Sequence, residues 1–143
     1  MADNNTLDIQ ILSEPLVLED NYNFVLAEAC GGINAFVGTV RRWNKGEEIT
    51  HLDFECYEPM AISELEKIAA KAKELFDTHK ISIHHRTGKV AVTEIAVIIT
   101  VSCKHRKGSF QACEYIIDNL KKDVPIWKKE HLIDGSYWVN ARP

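Results

Sequence analysis

A chain of 143 residues, 45% hydrophobic and 27% charged, is long enough for one domain with a real core, burying roughly 70% of its unfolded surface. No apolar run approaches the ~20 residues that cross a bilayer, and the polar, acidic stretch from Met1 to Gln10 lacks the basic-then-apolar pattern of a signal peptide; no membrane association and a cytoplasmic location are therefore expected. The formal net charge of −4 argues against general nucleic-acid binding.

No repeat, low-complexity stretch or linker divides the chain, so residues 1–143 are expected to form a single domain. Leu7 to Leu12 alternates apolar and polar residues and reads as a first strand. Leu18 to Ala29 reads as a short helix stopped by Gly31-Gly32. Ile33 to Arg41 reads as a buried strand, with Gly38 marking a bulge or a close backbone approach. Arg42 to Glu48, containing Asn44-Lys45-Gly46, reads as a polar turn or flexible loop. His51 to Tyr57 reads as a strand with Leu52, Phe54 and Cys56 on one face. Pro59 opens a helix from about Met60 to Asp77, with a stripe of Ile62, Leu65, Ala69, Ala72 and Phe76. Ile81 and Ile83 mark a strand that ends near Thr87-Gly88. His84 and His85 lie on it, pointing to opposite faces, and are expected at the surface. Ile95 to Ser102 reads as a central strand buried on both faces. A second long helix runs from about Lys107 to Lys122, with a stripe of Phe110, Cys113, Ile117 and Leu120, and Pro125 just past its end. Ile126 to Ala141 reads as a hairpin turning at Asp134-Gly135. The sum is an α+β domain with a mixed or antiparallel sheet, two long helices and a C-terminal hairpin.

The four cysteines, Cys30, Cys56, Cys103 and Cys113, include no CxxC and read as reduced, mostly buried thiols. Cys103 and His105 have no second half-site at zinc-ligand spacing, so no metal site is expected. Charge is unevenly spread. Lys104 to Lys129 holds seven basic residues against three acids, a net +4, which leaves −8 for the rest. A basic segment in an acidic chain points to a local anion site. Within it, Ser102 to Phe110 is a strand-to-helix junction, where free N–H groups and the helix dipole attract phosphate. His105 and Arg106 stand there, and the arginine fork suits phosphate oxygens. A solvated basic turn explains the same residues equally well. Lys121 falls in the last helical turn, and Lys128 lies beyond Pro125. A lysine whose pKa is lowered serves catalysis; an exposed basic face is the plainer reading. Arg41, at a strand end, is either a binding residue or a surface charge.

Five segments in order resemble the molybdopterin synthase large (catalytic) subunit family. They are Phe36–Arg41 (FVGTVR), Glu55–Met60 (ECYEPM), His105-Arg106, Leu120–Glu130 (LKKDVPIWKKE) and Tyr137–Arg142 (YWVNAR). The resemblance implies an α/β-hammerhead fold and an enzyme of molybdenum-cofactor biosynthesis that needs no cofactor or metal of its own. It implies sulfur transfer from the C-terminal Gly-Gly thiocarboxylate of a small ubiquitin-like sulfur-carrier subunit to cyclic pyranopterin monophosphate, which forms the dithiolene of molybdopterin. It further implies a large-subunit homodimer within a heterotetramer. Residue by residue, it makes Lys121 and Lys128 the catalytic lysines and Arg41, His105, Arg106 and Arg142 the substrate-binding residues, with action across the dimer one reading for Arg142. The competing expectation from another class is a non-catalytic module that binds phosphate, nucleotide or a partner protein.

Overall fold

Strand-forming runs and amphipathic segments build two sheets and three helices in the computed structural model, which describes residues 6–140. In chain order these are β1 (Leu7–Leu12), α1 (Leu18–Val25), β2 (Gly32–Thr39), β3 (Trp43–Asn44), β4 (Glu47–Cys56), α2 (Glu58–Phe76), β5 (Thr78–Arg86), β6 (Gly88–Ala91), β7 (Ile95–Cys103), α3 (Arg106–Asp123), β8 (Ile126–Leu132) and β9 (Tyr137–Asn140). The first sheet runs β1-β5-β7-β2, with β1 parallel to β5 and the other pairs antiparallel. The second runs β3-β4-β8-β9, with β6 also pairing β4. The expected α+β class with mixed sheets, two long helices and a C-terminal hairpin is present.

Helices α2 and α3 pack together and onto the first sheet, and α1 also packs on β5 and β7. That packing explains β7, in which every residue from Ala96 to Cys103 is buried. It also corrects the surface placement expected for His84 and His85, since both are buried. Strand alternation does send them to opposite faces, but each face is covered. On one face, His84 Nε2 donates to Asp8 Oδ2 at 2.8 Å, Ser82 Oγ donates to the same oxygen at 2.9 Å, and Asn21 of α1 donates to Ser82 Oγ at 2.9 Å. Burial raises the Asp8 pKa, but these bonds and one from Gln10 outweigh it and hold the carboxyl at about 2. On the other face His85 is packed edge-on against Phe54, ring centroids 5.1 Å apart. Burial drives its pKa down to about 4. Its Nδ1 lies 2.8 Å from the Arg86 carbonyl. A carbonyl only accepts, so that nitrogen carries the proton.

Three further expectations are narrowed or revised. Of the turn and the flexible loop expected at Arg42 to Glu48, the structure has the turn, closed as a tight hairpin: Trp43 pairs Glu48 and Asn44 pairs Glu47. Lys45 and Gly46 both take positive φ, 53° and 81°, as a two-residue type I′ turn requires. The buried line of α3 is Ser109, Ala112, Cys113, Ile116 and Leu120. Phe110 is exposed and Ile117 only half-buried; Ser109, Ala112 and Cys113 share the buried line with Ile116 and Leu120. Helix α1 ends at Val25, four residues short of Ala29. Gly38 is at the expected irregularity. The β2–β7 register shifts there, and a Cβ on it would stand 2.7 Å from Val97 Cγ1.

Candidate active site

The site begins with a change of direction. Helix α3 ends at Asp123, Val124 N–H donates to Leu120 O at 3.2 Å, and Pro125 leads into β8. Lys121 therefore stands in the last helical turn and Lys128 on the adjoining strand. Along β8 the even residues Ile126, Lys128, Glu130 and Leu132 face inward, while Trp127, Lys129 and His131 face outward. Trp127 thus points away from the pocket. Antiparallel pairing sets Phe54 opposite Lys128 and Leu52 opposite Glu130.

Two adjacent pockets share Lys121 and Lys128. One, of about 320 Å³, is polar, with Thr39, Arg41, Asn44 and Glu130 in its wall. The other, of about 120 Å³, is apolar, with Phe36, Gly38, Leu52, Phe54, His85 and Val97 around it. Glu130 organises the polar side. Its side chain is 7% exposed and its Oε2 lies 3.7 Å from Lys128 Nζ. Asn44 Nδ2 donates to Glu130 Oε1 at 3.0 Å, and Arg41 donates to Asn44 Oδ1 at 3.4 Å. The β3–β4 turn is what holds Asn44 in this chain. Lys128 is half-buried and paired with a carboxylate, whereas Lys121 is exposed, with no ion pair among the described residues. Such a site can accommodate an anion in the polar pocket and an apolar body or narrow tail in the second one, with one uncompensated ammonium where they meet.

Of the residues singled out in the sequence, Lys121, Lys128 and Arg41 come together here. His105 and Arg106 do not. They sit exposed at the other end of α3, about 22 Å away at 1.5 Å per residue. Arg142 lies outside the described residues. Three wall residues escaped the sequence reading: Glu130 inside the basic segment, Asn44 in the presumed loop, and His85. The alternation of β8 was the one available signal for Glu130, because it shares a face with Lys128.

The sequence model of a family described as MoaE protein matches residues 11–123. Across 129 residues the chain is 40% identical to the molybdopterin synthase catalytic subunit of Halalkalibacterium halodurans, covering 90% of this chain and 83% of that protein. It is 41% identical over 138 residues to the subunit of the same name from Dictyostelium discoideum, covering 95% and 87%. Its fold superposes on the crystal structure of molybdopterin synthase from Staphylococcus aureus with a TM-score of 0.86 at 39% identity, covering 91% of this chain and 94% of that one. It also superposes on a chain from the complex of subunits 1 and 2 of molybdopterin-converting factor from Helicobacter pylori, with a TM-score of 0.72 at 26% identity, covering 90% and 86%.

Proposed function

The chain belongs to the MoaE protein family, and from that premise we propose that it is the catalytic subunit of a molybdopterin synthase. It takes sulfur from the thiocarboxylate at the C-terminus of a small carrier subunit and delivers it to cyclic pyranopterin monophosphate, building the dithiolene of molybdopterin. The observation that carries this reading is the meeting of a polar and an apolar pocket at two lysines. The cyclic phosphate is an anion and suits the polar pocket with Arg41. An extended Gly-Gly tail is narrow enough for the second pocket, and its terminal charge needs a cation at the junction.

Lys121 is the first candidate for that cation, since Lys128 already has Glu130 as counter-charge. Preorganised ammonium groups stabilise charge that develops as the thiocarboxylate attacks and the cyclic phosphate opens. A lysine also moves protons or holds a covalent adduct. Glu130 keeps Lys128 oriented toward the pocket. His105 and Arg106 serve the same substrate only if a second copy brings them to it, which accords with a homodimer carrying two small subunits. We place the enzyme in the cytoplasm, in keeping with four free thiols; no described helix is long and apolar enough to cross a membrane.

The test combines the purified protein with thiocarboxylated small subunit and cyclic pyranopterin monophosphate and assays molybdopterin. Wild-type protein forms product. Lys121→Ala loses activity by a factor on the order of 10²–10³ and keeps its circular dichroism and melting temperature. Near-normal turnover by the folded variant removes Lys121 from the mechanism. No product from wild-type protein with an active donor makes the chain a partner-binding scaffold.

A further inference from the structure

The outer face of the β4–β8 pair, opposite the lysine pocket, carries three donor groups that sulfur transfer does not use. Alternation along β4 puts His51 and Asp53 on this face, and the strand register sets His131 directly across from His51. The imidazole rings stack with centroids 4.1 Å apart and planes 16° from parallel. Asp53 Oδ2 lies 2.8 Å from His131 Nε2 and 3.6 Å from His51 Nε2. One donor atom from each of the three residues lies within 4.8 Å of the others. An ion held by bonds of about 2.1 Å in tetrahedral geometry separates its donors by about 3.4 Å, and the two distances to Asp53 bracket that value.

Proton positions make this more than a surface ion pair. Thr50 Oγ1 donates to the His131 carbonyl at 3.3 Å, so toward His51 Nδ1, 3.0 Å away, it acts as acceptor. His51 Nδ1 then carries the hydrogen, and its Nε2 turns a bare lone pair toward the Asp53 carboxylate. Two electron-rich atoms facing each other call for a cation between them. A ring held by a hydrogen bond at one nitrogen and open at the other is the usual state of a metal-binding histidine. His131 Nε2 is buried and makes no hydrogen bond, because its approach to Asp53 falls outside hydrogen-bond geometry. Lys129, the register neighbour of Asp53, does not neutralise it; its ammonium sits 3.9 Å from the centre of the Tyr137 ring. Lys89 of β6 is the register neighbour of Asp53 on its other side.

We infer that His51, Asp53 and His131 form a binding site for a divalent transition metal of the zinc class, with a fourth position open to solvent. Two imidazoles and one carboxylate suit Zn²⁺, Ni²⁺ or Cu²⁺ and disfavour Mg²⁺ and Ca²⁺. The ion clamps β4 to β8 from outside, on the strand pair whose inner face carries Lys128. Sequence spacing hides the site because only strand pairing unites its donors.

The experiment is a zinc titration of the untagged full-length protein by calorimetry, with Co²⁺ absorption as a second readout and neither donor subunit nor pterin present. Its failure therefore leaves the sulfur-transfer reading standing. One Zn²⁺ binds per chain and raises the melting temperature, Mg²⁺ does neither, and both His131→Ala and Asp53→Asn weaken binding at least about tenfold. Should His131→Ala not fold, Asp53→Asn and His51→Gln carry the test. Zinc affinity unchanged in folded variants, a Co²⁺ spectrum with thiolate charge-transfer bands, or no binding by wild-type protein each overturns the site.

Discussion

Glu130 and His85 show how much a single side chain decides here. Each is an ionisable group in the wall beside the lysines, but they carry opposite consequences. Glu130 is kept in the wall by Lys128 and Asn44. His85 is kept neutral by burial, with a pKa of about 4. The unfolded chain binds that proton near pH 6.5. Below this value the unfolded state holds more protons than the folded one, so stability is complete above about pH 6.5 and falls as the pH drops toward 4, by about 3 kcal/mol in all. Asp8, held at about 2, gives a separate loss between roughly pH 4 and 2. Urea midpoints measured across this range should show both steps, and His85→Gln should flatten the first while leaving the second; an unchanged slope between pH 6.5 and 4 would assign the step elsewhere. None of this was legible in the histidine pair itself. Alternation correctly sent the two rings to opposite faces, but whether those faces were covered depended on where α1 and the second sheet packed.

Among the elements, α3 joins the His105–Arg106 junction to the lysine pocket, and Gly32 is its seat. A Cβ at Gly32 would stand 2.9 Å from both Cα and N of Arg106 and 3.2 Å from the carbonyl carbon of His105. All of these are backbone atoms, which cannot rotate aside. Gly32→Ala is therefore expected to cost about 1–3 kcal/mol, read from urea unfolding. Because a helix moves as a rod, the displacement also reaches Lys121 and lowers molybdopterin formation. A variant with wild-type stability and turnover would show that the junction has slack. The sequence identified α3 within a residue at each end, since Pro125 and the charged flanks are strong signals. It misjudged the buried face because size and apolarity were counted together. Ser109 and Ala112 are buried where helix meets helix and sheet, and Ser109 Oγ satisfies itself on the Arg106 carbonyl at 2.6 Å. The β3–β4 turn was one of two readings of its stretch, and its strand pairing went unread for a different reason. Strand β3 has only two residues, too few for an alternation to show, and the turn type follows only from the positive φ angles of Lys45 and Gly46.

At the scale of the whole molecule, the five described candidate site residues divide into two groups. Arg41, Lys121 and Lys128 converge in one chain, while His105 and Arg106 lie about 22 Å from Lys121. If all five act on one substrate, a second copy must complete the site. Hybrid dimers of a Lys121→Ala chain with an Arg106→Ala chain then contain one intact site and recover product that neither parent dimer forms. Absence of recovery, with hybrid dimers demonstrated, would confine the reaction to one chain. The sequence order of the motifs could not show this division, since it says nothing about which end of a helix faces which pocket. Strand β8 adds a constraint of parity on descent with modification. Lys128 reaches the pocket and His131 the opposite face only because an odd number of steps separates them. Loss or gain of one residue between Lys121 and Lys128 would turn Lys128 outward beside Asp53, swing Trp127 or Lys129 into the pocket, and exchange the two faces at once. If both lysines act in the reaction, an active relative must therefore keep the seven-residue interval between them unaltered.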